Sequence, residues 1–226
     1  MSRQNIERVF AQVDDTDYKA GRVAYANYNK TLRMMASAYG TGFVQTVAAF
    51  VALSPNNDYM GNIRSLKTLI IGWKAGNRIE DLSISTYNAC KIRAWAYLRG
   101  ERDFLMDTRG PKTRAFYHNI LAPTDTKHVT IDGHMMNIYI GEVRPLVEVA
   151  RIRIPYDKIS AEFKIVARKN GLIPSQLQAM LWFTWKRINK IVYSPQLALF
   201  NADDDRWGLK IHPVHIKIFG GPKWSK

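Results

Sequence analysis

Lys112 and Asp132 are the residues of this chain best suited to act together. Lys112 lies in the run Arg109-Gly110-Pro111-Lys112-Thr113, and Asp132 follows twenty positions later inside Val129-Thr130-Ile131-Asp132-Gly133-His134. A lysine amine becomes a nucleophile when burial or neighbouring cations lower its pKa from about 10.4, and a carboxylate can stabilise positive charge that develops beside it. Arg109 and Arg114 flank Lys112 and are cations of that kind. The turn also suits phosphate. A glycine just before a helix lets backbone N–H groups approach an anion closely, and the helix dipole favours the negative charge. Arg109, Gly110, Thr113 and Arg114 therefore form a candidate grip on a nucleic-acid backbone.

Each feature also has a plainer role. A Gly-Pro turn is commonly just a helix start with solvated basic residues, and Lys112 can be a simple phosphate contact. Asp132 can cap a helix beginning at Gly133, which is compatible with chemistry because one oxygen caps while the other faces a substrate.

The composition narrows the partner. The 226 residues carry a formal charge of +14, with 46% hydrophobic and 12% aromatic residues. That is a globular composition with far more positive charge than solubility needs, so a polyanionic partner is expected. The basic residues are spread through segments that read as folded, which favours nucleic acid over a membrane surface. Cys90 is the single cysteine, which excludes an internal disulfide and a cysteine-ligated metal or iron–sulfur cluster within one chain. Met1 to Phe10 lacks an apolar signal core, and the run Val47 to Leu53 is far short of the roughly 20 residues of a membrane span. A cytoplasmic protein without membrane association is expected.

The elements that must position these residues read as helices. Ile6, Val9, Phe10 and Val13 recur at helical spacing, a long helix is predicted from Asp17 to the stop at Gly40, and Thr41 to Leu53 reads as a central helix buried on every side. Asn57 or Asp58 caps the next helix, a cap being favoured over base insertion for Asn57, and Ser83 or Ser85 opens another that runs to Leu98. Phe104 to Leu121 reads as helix, hairpin, helix, with Pro111 at a first helical position. Residues from Ile140 to Pro155 are predicted as an extended connector, followed by helices from Ser160 to Asn170 and from Ser175 to Ile191. Val214, Ile216 and Ile218 alternate with polar residues, which predicts a short extended tail.

The hairpin and the aspartate resemble the helix-hairpin-helix superfamily of DNA glycosylases, the group that contains endonuclease III. In that family a hairpin of the form Leu-Pro-Gly-x-Gly-x-Lys-Thr-Ala is followed by an apolar run ending Val-Asp-Thr-His. Here Met106-Asp107-Thr108-Arg109-Gly110-Pro111-Lys112-Thr113-Arg114 and Thr130-Ile131-Asp132-Gly133-His134 take those places. Leu53-Ser54-Pro55-Asn56 is similar to the family's Leu-Ser-x-Gln loop, which helps to open the duplex. The resemblance spans about Thr41 to Tyr139. It departs at Thr108, where the family has the first hairpin glycine, at Arg114 in place of alanine, and at Gly133 in place of threonine. The cluster cysteines are absent, so the resemblance points to a cluster-free branch. Pro174 to Trp182 is similar to phage and bacterial glycosylase-like proteins, which implies a nucleoid or a phage-infected host cytoplasm as the setting.

The resemblance implies a mainly α, two-lobed glycosylase-like fold forming one unit over 1–226, with residues 41–139 in one lobe and 1–40 plus 140–226 in the other. It implies a monomer acting on double-stranded DNA without cofactor or metal. Asp132 would stabilise the sugar cation formed as an N-glycosidic bond breaks, and Lys112 would be the abasic-site lyase nucleophile. Arg109, Gly110, Thr113, Arg114 and His134 would contact DNA, and Asn56 would fill the gap left by an extruded base. Two other functions fit the same residues: a glycosylase-derived enzyme that alters hypermodified phage bases without releasing them, and a DNA-binding protein that kept the scaffold alone. Trp182, Phe183 and Trp185 resemble a base-stacking platform, but their spacing with Leu177, Met180 and Leu181 reads as core. Asp203, Asp204 and Asp205 with His212 and His215 do not read as a metal site, because consecutive acids cannot all face one ion.

Overall fold

The computed structural model describes residues 2–55 and 57–191, and among them it contains helices and no strand. The chain runs through α1 (Ser2–Phe10), α2 (Asp15–Tyr39), α3 (Phe43–Leu53), α4 (Tyr59–Lys74), α5 (Asn88–Leu98), α6 (Phe104–Asp107), α7 (Pro111–Leu121), α8 (Gly133–Ile140), α9 (Leu146–Val149), α10 (Tyr156–Lys169) and α11 (Pro174–Ile188). Mainly α is therefore the fold class. The predicted tail around Val214 to Ile218 and the acidic and histidine residues from Asp203 to His215 lie outside the described residues, as does Asn56.

Local chemistry sets the helix ends. Asp14 caps α2 by accepting from Asp17 N at 2.8 Å, so the helix begins ahead of the predicted Asp17, and Gly40 ends it with φ of 59°. Asp58 caps α4 through Gly61 N at 2.6 Å. Asn57, the other candidate cap, instead donates its Nδ2 to Leu53 O at 3.2 Å. Neither Ser83 nor Ser85 caps α5, which starts at Asn88 after Tyr87; the preceding segment is tied back by Thr86 Oγ1 donating to Pro55 O at 3.3 Å. The predicted connector after Ile140 includes the short helix α9, and α10 begins at Tyr156 because Pro155 can open a helix without a free N–H.

Two hydrophobic cores organise these helices. The first gathers Leu32 and Met35 of α2, Phe50 and Leu53 of α3, Leu66 and Leu69 of α4, Trp95 of α5 and Ile120 of α7. The second gathers Ile6 of α1, Met135 and Ile138 of α8, Phe163 of α10, and Met180, Leu181 and Trp185 of α11. Along the chain the core changes between α1 and α2 and again in the loop between α7 and α8. Helix α11 serves both cores, since Ala179 and Phe183 belong to the first. It crosses α2 closely. A Cβ on Gly21 would lie 2.5 Å from the Met180 backbone nitrogen, so a side chain there would force the helices apart. Asp17, 1% exposed, locks the same crossing by accepting from Thr184 Oγ1 at 2.9 Å and from Arg187 Nε at 2.8 Å.

Helix α3 is the central helix expected from its sequence, with Thr46 to Leu53 all buried. Truncating Phe50 or Leu53 to alanine is expected to cost about 2–5 kcal/mol through the cavity left behind. Among the described residues no single helix is long and apolar enough to cross a membrane; α2 and α3 reach that length only as a pair bent by 118°.

Candidate active site

Between Phe104 and Leu121 the expected order of helix, turn and helix is present, as α6 and α7 with the turn between them. Asp103 caps α6 through Met106 N at 2.9 Å, and Pro111 opens α7. Thr108 has φ of −96° and Gly110 φ of −67°, so neither needs the left-handed region. A threonine at 108 is therefore unstrained where the resembled hairpin carries glycine. Arg114 is turned inward: its Nη1 donates to Leu105 O at 2.9 Å and to Thr108 O at 3.1 Å, bracing the hairpin instead of reaching outward. Arg109, Gly110 and Lys112 are exposed and Thr113 is half-buried. A Cβ on Gly110 would meet only Thr113 Oγ1, at 3.7 Å, so the space over this turn is open.

Asp132 is the cap of α8. Its Oδ1 accepts from Met135 N at 2.9 Å, which leaves Oδ2 as the oxygen able to serve a ligand. The stretch that presents it is fixed from below. Val129 and Ile131 are buried, and the Tyr156 hydroxyl donates to Val129 O at 2.7 Å while accepting from Ile131 N at 3.0 Å. Burial pushes the Tyr156 pKa up to about 12, so the hydroxyl keeps the proton it donates.

Lys112 and Asp132 come together at a cavity of about 240 Å³ where α2, α3, α4, α7 and α11 approach one another. Aromatic rings wall it: Tyr28 packs on Tyr59 at 4.9 Å and on Phe116 at 6.0 Å between ring centres, with Phe50 and Trp182 also lining the space. This volume lies just under the roughly 300 Å³ at which small-ligand pockets begin, so it suits one small planar group. Trp182 is half-buried, packs against both cores as its reading implied, and also lines the cavity. Trp185 is a core residue as read, and Phe183 is both buried and part of the wall.

A buried polar chain runs beneath these rings. Asn119 Nδ2 donates to Thr130 Oγ1 at 3.0 Å, Tyr25 Oη lies 3.1 Å from Thr130 Oγ1, and Tyr25 donates to Gln178 Oε1 at 2.7 Å. A tyrosine hydroxyl has one proton, so the order that satisfies every member is Asn119 to Thr130 to Tyr25 to Gln178. Burial raises the Tyr25 pKa well above 10 and keeps that proton in place.

Beside the aspartate stands a second lysine. Lys186 of α11 is half-buried with Nζ 3.8 Å from the Trp182 ring centre. Burial lowers its pKa, and Asp132 opposes that shift. His134 faces the same group: its ring meets Trp182 edge-on at 6.2 Å, and its Nδ1 is buried without a hydrogen-bond partner. Burial lowers the His134 pKa; Asp132 opposes the shift while Lys186 and Lys112 add to it. His134 thus lies beside the aspartate, at the cavity and away from the exposed turn. Sequence reasoning missed Tyr25, Asn62, Gln178 and Lys186. A signal for two of them was present, because Gln178, Trp182 and Lys186 are spaced by four and share one face of α11.

Among the described residues no group of three or more His, Cys, Asp or Glu side chains converges as metal ligands. A mainly helical protein with a lysine and a helix-capping aspartate on one aromatic cavity is the class that the described residues define. Over residues 1–189 the chain matches a family of unknown function, DUF7178, and it belongs to that family. No curated protein and no solved structure matches the chain.

Proposed function

We propose that this chain is a helix-hairpin-helix DNA glycosylase that extrudes a base from double-stranded DNA and cleaves its N-glycosidic bond. The observation that carries the proposal is the convergence of Lys112 and Asp132, from separate elements, on one aromatic cavity. The charge of +14 and the open space over the exposed Arg109 to Lys112 turn support a grip on the phosphate backbone.

A base inside the stack is out of reach, so it enters the cavity between the aromatic rings. The bond from C1′ to the base nitrogen then breaks, and its electron pair leaves with the base, which takes up a proton. Asp132 Oδ2 faces the positive charge that builds on the sugar. Water or the Lys112 amine adds to C1′. Addition of the amine, with loss of its proton and opening of the sugar ring, gives a Schiff base that can eliminate the 3′ phosphate.

Mass spectrometry of the products from duplexes carrying damaged, mismatched or phage-modified bases tests this. Free base with abasic or nicked DNA is the expected outcome. An altered base that stays attached supports the editing enzyme, and binding without chemical change supports a scaffold that only binds DNA. Either result would overturn the glycosylase assignment.

A further inference from the structure

The cavity has polar walls of opposite kind. Gln178 is 5% exposed, and its carboxamide is oriented by the chain through Asn119, Thr130 and Tyr25. Because Oε1 accepts from Tyr25, the amide is held in one orientation, and Gln178 can offer its Nε2 protons to the cavity it lines. Asn62 is 2% exposed and lines the same cavity. Its Nδ2 donates to Phe50 O at 2.9 Å, which fixes the amide orientation, and its Oδ1 is buried without a hydrogen-bond partner. A buried acceptor without a donor is costly, and three side chains spent on orienting one amide is more than packing requires.

We infer that this pair selects a lactam base, one with a ring N–H beside a carbonyl, such as uracil or hypoxanthine. The carbonyl oxygen accepts from Gln178 Nε2, the ring N–H donates to Asn62 Oδ1, and the aromatic walls stack on the ring faces. The inference rests on the cavity receiving an extruded base, as proposed above, and adds which chemical edge it reads. A site built to hydrogen-bond one edge discriminates strongly against an analogue that lacks it.

The test uses the full chain and duplexes containing a single uracil or hypoxanthine, compared with the same duplexes carrying N3-methyluracil or N1-methylhypoxanthine. A 2-aminopurine placed beside the target reports extrusion whether or not the bond is cleaved, and released base is measured in parallel. Methylation blocks the N–H and also weakens pairing, which by itself eases extrusion, so a preference for the parent base must come from the protein. Extrusion of the parent bases is expected to be favoured by on the order of tenfold or more, the worth of one lost buried hydrogen bond. Gln178→Met, confirmed folded by thermal melting, is expected to reduce lactam extrusion by a similar factor. Equal extrusion of parent and methylated bases, or an unchanged Gln178→Met, overturns the inference while leaving base release intact. Lactam-selective extrusion without any released base keeps the inference and removes the cleavage step. If Gln178→Met fails to fold, the methylated duplexes on the unaltered chain still decide.

Discussion

The hairpin turn and the buried polar chain border the same cavity and are built in opposite ways. On the turn, Arg109 and Lys112 stand exposed, and the brace that shapes it, Arg114, lies behind them and bonds to backbone carbonyls. Around Tyr25, side chains from α2, α7, α11 and the stretch before α8 are buried and bonded in series. Attraction between a flexible cation and a polyanion needs charge and tolerates loose geometry. Stabilising a transition state or reading an edge needs donors and acceptors held in place before the ligand arrives. Asp132 sits at the junction: one oxygen is fixed by the α8 cap and the other is left for the site.

The largest expected effect separates the aspartate's roles as cap and as catalyst. Asparagine caps a helix about as well as aspartate, so Asp132→Asn is expected to fold with a loss of about 1 kcal/mol or less. It removes the charge that faces the sugar, and base release is expected to fall by at least about 10³-fold while DNA affinity holds. Single-turnover release and duplex binding measure the two. A fully active Asp132→Asn would reduce Asp132 to a cap.

The next effect lies on the turn. Lys112→Gln is expected to abolish a borohydride-trapped protein–DNA adduct and to leave the melting temperature unchanged, because the side chain is exposed. Peptide mapping of the wild-type adduct distinguishes Lys112 from the half-buried Lys186. Binding through this turn is also expected to weaken with salt, with a log–log slope of roughly −0.9 per phosphate contact. A salt-independent affinity would remove the nucleic-acid partner.

The buried chain is expected to respond in stability. Tyr25→Phe keeps the ring but strips the proton from Gln178 Oε1, leaving a buried acceptor unpaired at a cost of about 1–3 kcal/mol. For a chain of this size that is a fall in melting temperature of roughly 2–10 °C, readable by calorimetry. An unchanged melting temperature would mean that the chain contributes nothing to rigidity, and the contrast with the turn would fail.

How much of this the sequence carried depended on the range of the interaction. Caps, stops and the all-round apolar pattern of Thr41 to Leu53 are local, and the helices follow them to within a few residues. Asn57 and Asp58 stayed open because asparagine and aspartate side by side both suit a cap, and only the structure shows Asp58 bonded to Gly61 N. Lys112 and Asp132 were visible as a pair through spacing and resemblance. Tyr25 and Thr130 are 105 positions apart, and no periodicity encodes a hydrogen bond between them. Trp182 was read as core from its apolar neighbours, because a helix turned toward a cavity has the same spacing as one turned toward a core.

The smallest expected effect is a dependence of stability on pH, which probes the buried side again. Burial holds the pKa of His134 below its ordinary 6.5 despite the pull of Asp132, and Lys186 and Lys112 add to the shift. His118 is lowered in the same direction, by burial first and then by His128 and Arg114. Below 6.5 the unfolded chain therefore binds protons that the folded chain resists, so stability is full above that pH and is lost as the pH falls through the window beneath it. Melting temperature is expected to decline between about pH 6.5 and pH 5, before most carboxylates titrate near 4. His134→Gln is expected to flatten the decline without abolishing it, since His118 still contributes. A His134→Gln profile that superimposes on the wild type would show that His134 is protonated as readily in the folded chain as in the unfolded one, and the low-dielectric character assigned to the Asp132 side of the cavity would not hold.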